Sequence, residues 1–252
     1  MPRLKRYLPA LAALAISAHA QEGPAITPYR PSVSTPAQLP APGQLEFEFG
    51  NLSSRGTDPR TDSLPYTFKL AIDKDWGVLL GGSAYVRQRG AGQDANGIGD
   101  TALTLKRAFI VNDTTAYGLE LTTKIPTAKD TIGSGKSDWT INAIYSHDAG
   151  DLHMDVNVNE TRLGAPQPGA ARIQTGVSAS FSTPVTERWT ANWELSGIAN
   201  PGAPSTAQLL LAGVYMPSKR LEFDAGFTRG LTSATPHWSL FAGFVVPLAK
   251  LW

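Results

Sequence analysis

Two stretches of the sequence hold residue types that could do chemistry. In KDTIGSGKSD, residues 129–138, Gly135, Lys136 and Ser137 fill the last three places of the phosphate-cradling pattern G-x-x-x-x-G-K-[ST]. Asp130 stands where that pattern has its first glycine, which puts a carboxylate against the anion. The second stretch brings Ser146 and His153 near Asp148 and Asp155. A base beside a hydroxyl can turn it into a nucleophile. If Ala149 and Gly150 form a two-residue turn, Ser146 lies opposite His153. The remaining histidines are scattered and the chain has no cysteine, so neither a disulfide nor a metal site is expected, and no cofactor.

Both candidates depend on the elements that carry them. From Gln44 onward the sequence alternates with period two, the mark of strands with unlike faces. DLHMDVNVN sets Leu152, Met154, Val156 and Val158 against His153, Asp155, Asn157 and Asn159, and TAYGLELTTKI repeats the pattern. Twelve such segments are predicted, at about 44–51, 64–72, 76–88, 98–111, 115–126, 138–148, 151–163, 170–183, 188–198, 206–216, 220–229 and 236–247. Most exceed the usual strand of about five or six residues. A strand tilted by about 40° needs roughly ten residues to cross an apolar band near 25 Å.

The connections alternate in length. Those after even-numbered segments are short, such as Asp73-Lys74-Asp75 and Asn112-Asp113-Thr114; those after odd-numbered segments are longer, 52–63, 89–97, 127–137, 164–169, 199–205 and 230–235. A soluble sandwich has no reason to sort its loops this way. An up-and-down antiparallel transmembrane β-barrel of about twelve strands, all-β with periplasmic termini, does. Both chemical candidates then weaken. Residues 127–137 lie between two strands, with no helix terminus to receive a phosphate. The Ser146–His153 pair would sit at a wet periplasmic mouth with no oxyanion donors in a regular strand, so no enzyme is expected.

The ends fit an exported chain. Residues 1–20 read as a signal peptide, with Arg3, Lys5 and Arg6 before an apolar run and Ala18-His19-Ala20 as the cleavage site. Removing those three cations leaves 19 basic against 21 acidic residues, a net charge of −2, which gives no argument for nucleic acid. Residues 21–43 carry six prolines and read as an extended periplasmic tail or a plug, and 44–252 as the barrel.

GIGDTALTLKRAF (97–109), LELTTKIPTAKDTIGSGKSDWTINAIYS and DLHMDVNVNETRLG resemble outer-membrane barrels labelled transporters, or proteins of the meta-pathway of phenol degradation. The likeness spans most of 45–248. It implies twelve antiparallel strands in the outer membrane of a Gram-negative cell and uptake of hydrophobic or aromatic compounds. The chain ends on Trp252, and a terminal aromatic resembles the signal read by the outer-membrane assembly machinery; Pro247 and Lys250 interrupt the pattern.

Face assignment gives the candidate lining. Twelve strands about 4.8 Å apart make a backbone cylinder roughly 24 Å across, with a narrow lumen. The predicted polar lining is Glu46, Glu48, Lys69, Arg87, Asp100, Lys106, Glu120, Lys124, His153, Asp155, Glu194, Glu222 and Asp224. Its acids outnumber its bases, which reads as a cation-leaning pore or polar site, or as a salt-bridged filling. A three-residue turn at 112–114 places Lys106 opposite Glu120. Leu210, Val214, Met216, Phe241 and Val245 also face inward, either as an apolar track for solute or as a surface covered by the tail. Trp76, Tyr117, Trp139, Trp189, Tyr215 and Trp238 are predicted on the lipid face as interfacial girdles. The expectation is a porin-like channel for passive uptake of small hydrophobic or aromatic solutes; the alternative is a non-transporting structural or adhesive barrel.

Overall fold

The computed structural model describes residues 23–90 and 94–252, so residues 1–20, expected to be a signal peptide, lie outside the described residues. The strands are β1 (Gln44–Arg55), β2 (Arg60–Ala71), β3 (Trp76–Arg89), β4 (Ala95–Gly97), β5 (Thr101–Asn112), β6 (Thr115–Ile125), β7 (Asp138–Ala149), β8 (Leu152–Arg162), β9 (Ile173–Pro184), β10 (Trp189–Ala199), β11 (Thr206–Ser218), β12 (Leu221–Gly230) and β13 (Trp238–Lys250). The short β4 pairs only with β3. The other twelve form a closed antiparallel barrel in which β1 returns to pair with β13. No described residue is helical.

Period-two alternation becomes an inverted distribution of side chains. On β6, Ala116 and Glu120 are buried while Tyr117, Leu119 and Leu121 are exposed. Lys69, Lys106, Glu46 and Glu194 are the largest fully buried side chains besides Gln44. Such an arrangement is favourable only where lipid bathes the exterior and polar groups find partners inside.

Connections 113–114, 150–151 and 219–220 close one end of the barrel, while 126–137, 163–172 and 200–205 emerge at the other. The first outer connection, expected at 52–63, shrinks to 56–59. Asp62 accepts from Ser53 at 2.6 Å and from Arg55 at 2.8 Å, so the β1–β2 ladder continues past the apolar residues that announced it. At the short-turn end, the Leu251 amide donates to Gly43 O at 2.8 Å.

Two prolines within strands lie at β-bulges, the place a residue without an N–H can occupy in a ladder. One irregularity falls between Leu45 and Glu46, opposite Pro247, and another between Leu64 and Pro65, opposite Ser83 to Tyr85. The second inserts Ala84 and reverses the facing of β3 beyond it. Val86 is therefore buried, and Arg87 falls in the outward row Leu240–Ser53–Asp62–Arg87. The expected inward placement of Arg87 is corrected by that bulge.

Candidate functional site

The interior is built from inward side chains of the strands and from residues 25–43. Near the short-turn end the Ile26 amide donates to Lys219 O at 2.9 Å. The chain then follows β1, with the Thr27 amide on Glu46 at 3.0 Å and the Tyr29 amide on Glu48 at 2.7 Å. Arg30 turns to β12 and meets both Asp224 oxygens, at 2.8 and 2.9 Å. The Ser34 amide donates to Glu194 on β10 at 2.7 Å. Thr35 reaches Glu120 on β6 at 3.2 Å and sits 3.1 Å from the Asn157 amide on β8. The Ala37 amide donates to Ser146 Oγ on β7 at 2.8 Å, and the Gly43 amide returns to Ala71 O at 2.8 Å. Tyr29 OH donates to Gln38 O at 2.8 Å and ties the outgoing limb to the returning one.

Most buried charges inside this assembly have partners, as burial favours. Lys69 lies 3.0 Å from Glu46 and 2.6 Å from Glu48, and it also donates to Thr27 O. Lys106 pairs with Glu120 at 2.9 Å in the expected register and donates to Pro36 O. The Tyr29 ring stands between the two ammonium groups, each 4.2 Å from its centroid. A cation at that distance from an aromatic face is attracted by the ring quadrupole. At the outer mouth Lys124 meets Asp138 at 2.8 Å and Asp100 at 3.5 Å, and the Ala128 amide donates to Asp100 at 3.0 Å. Glu222 is the exception: it is buried near the short-turn end, across Val245 from Glu48, and its Oε1 has no hydrogen-bond partner among the described residues.

The β7–β8 turn corrects the second chemical candidate. Ser146 pairs with Asp155, and His153 with Asp148, because Gly150 and Asp151 form the turn. Gly150 takes φ +65°; a turn at 149–150 would have put alanine at the first of two positions that favour Gly, Asn or Asp. Ser146 Oγ donates to Asp155 at 2.5 Å, while the imidazole holds the other oxygen of Asp155 at 3.1 Å and Asp148 at 2.6 Å. The carboxylate stands between hydroxyl and imidazole. That order ties a strand pair together and leaves the base off the hydroxyl.

Of the apolar stripe, Leu210, Val214, Phe241 and Val245 are buried, and Met216 is half-buried near the β11–β12 turn. Ala37 packs with Ala116 and Ile144 as a small apolar cluster. Apart from Met216 the stripe offers no open surface to a solute in this structure. Trp76, Tyr117, Trp139, Trp189 and Trp238 are exposed on the outer wall, and Tyr215 lies against Trp189 with ring centroids 4.9 Å apart.

A cavity of about 300 Å³ opens at the long-loop end. Val33, the exposed far point of the inner segment, lines it together with Asn159, Ser178, Ser196, Ile198, Gln208, Thr235 and Pro236. None of its lining residues is charged. A second cavity of about 260 Å³ lies along Tyr29, Ser32 and Thr35 and includes Glu48 and Glu120. Sequence reasoning missed the first because neutral small residues leave no mark in a strand pattern, and the second because it named Glu48 and Glu120 as lining without placing residues 29–35 against them. One signal was present: Arg30 is the only cation in 21–43, facing an acid-rich lining.

The chain has the fold of an outer-membrane β-barrel channel. An outer membrane channel from Pseudomonas putida F1 aligns with a TM-score of 0.66 at 14% identity, over 84% of this chain and 98% of that one. The KdgM porin aligns at 0.57 and 8% identity, over 81% and 99%. The NanC porin aligns at 0.55 and 8%, also over 81% and 99%. No family model matches the chain, and no curated protein matches it in sequence.

Proposed function

We propose that the protein is an outer-membrane channel that admits small uncharged solutes, of hydrophobic or aromatic character, past its own amino-terminal segment. The observation that carries this reading is the charge-free outer cavity floored by Val33. A cavity near 150 Å³ lined by apolar groups holds benzene, so one about twice as large suits a solute of one or two rings. The same reading is supported by the resemblance to the phenol-degradation barrels. The KdgM porin has been solved with oligogalacturonate; here the acid-rich interior opposes such a polyanion. The inner segment acts as a plug, held by hydrogen bonds and ion pairs that water can replace rather than by a deep apolar core. The segment crosses the lumen from β1 to β12, β10, β6 and β7, so transport requires its displacement.

Growth tests the reading. A strain lacking the gene should grow more slowly than its parent on a dilute uncharged aromatic carbon source, regain the rate when the gene is restored, and grow equally on acetate. Equal growth of deletion and parent on every uncharged aromatic tried would refute it.

A further inference from the structure

The outer wall carries a second feature, independent of the lumen. At the long-loop end, Trp238 pairs with Arg229 on one side and Arg55 on the other. Arg60 faces Arg89, and Asp62 faces Arg87. Trp238 is exposed while its neighbour Ser239 is buried, which sets this row on the outward face. Five arginines and one aspartate therefore cap the outside of β12, β13, β1, β2 and β3. Asp62 is engaged by Arg55 at 2.8 Å, Arg229 donates one N–H to His237 O at 3.1 Å, and Arg89 Nε is buried without a hydrogen-bond partner among the described residues. Asp58 and Asp94 in the adjoining loops reduce the excess without cancelling it. On β5 to β11 the outward strand positions at the same end carry as charges only Glu160 and Arg162, which balance, and the adjoining loops add Lys129, Asp130, Lys136 and Arg172 without a row of arginines on the wall.

Below this cap the same strands present an aromatic slab. Phe49 lies 6.1 Å from Phe244 and Tyr66 lies 5.9 Å from Phe68, while deeper in the wall Phe47 and Phe68 meet as tilted rings with centroids 4.7 Å apart. Guanidinium groups bind phosphate oxygens through paired N–H donors, and flat aromatic walls accept acyl chains. We infer that this face docks a phosphorylated glycolipid of the outer leaflet, with phosphates on the arginine cap and acyl chains on the slab.

Native mass spectrometry of the folded barrel in neutral detergent tests it, with bisphosphorylated lipid A as the probe. An arginine near an anionic lipid surface contributes about fivefold in affinity, so R60Q, R87Q and R229Q together should weaken retention on the order of a hundredfold. The Arg55–Asp62 pair is left intact, and a heat-sensitive gel shift reports that the variant is folded. R162Q on the opposite wall should leave retention unchanged, dephosphorylated lipid A should bind as weakly as to the triple variant, and inorganic phosphate should not displace the bound lipid. Undiminished retention by the folded triple variant, an equal loss in R162Q, or equal binding of the dephosphorylated lipid would overturn the assignment.

Discussion

Arg30 and Asp224 meet through two hydrogen bonds inside the barrel, where the aspartate side chain is fully buried. Removing one member of a buried pair typically costs about 3–5 kcal/mol, because the other is left charged and dry. Here Asp224 can regain water if the inner segment leaves, so Arg30→Ala should act on the segment rather than on the barrel. At the lower bound this moves the closed-to-open equilibrium about a hundredfold, taking tenfold per 1.4 kcal/mol. The absence of cysteine allows a clean probe, since Ser34→Cys would place one thiol at a buried site whose hydroxyl has no partner. Maleimide labelling of that thiol should accelerate about a hundredfold in the Arg30→Ala background. An unchanged rate would show that the pair does not hold the segment.

Strands and turns set how that segment fits, and they were unequally legible. All twelve barrel strands could be read from alternation because lipid outside and water inside impose period two on every residue. The register of β5–β6 was legible too, and Lys106 meets Glu120. The β7–β8 register was not, because Ala149-Gly150 and Gly150-Asp151 both look like two-residue turns until backbone handedness is considered. The facing of Arg87 was lost to a bulge whose cause, Pro65, sits on the neighbouring strand. Inward glycines were equally silent. A Cβ on Gly118 would lie 3.1 Å from Ala37 Cα and 3.2 Å from Ile144 Cβ, so β6 is kept bare to let the inner segment approach. Gly118→Leu should therefore dislodge the segment and speed Ser34→Cys labelling several-fold, while the barrel keeps its heat-sensitive gel shift. Slow labelling in a folded Gly118→Leu protein would mean that the wall, not the segment, gives way.

At the scale of the molecule, an apolar exterior encloses a charged interior, and a proline-rich segment supplies partners for carboxylates that would otherwise face a wet lumen. Its course could not be read from sequence, because an extended chain without periodicity announces neither where it goes nor what it touches. The exposed aromatic girdles and the sorted connections place the barrel across the membrane, and on the function proposed above the inner segment determines whether it conducts. Single-channel recording in planar bilayers, comparing residues 21–252 with the same chain lacking residues 21–39, tests this most directly. The intact chain should leave the bilayer nearly sealed, and the shortened chain should give a steady, cation-preferring current set by an interior in which acids outnumber bases. A folded shortened chain that still seals the bilayer, or an intact chain that conducts as freely, would contradict the account.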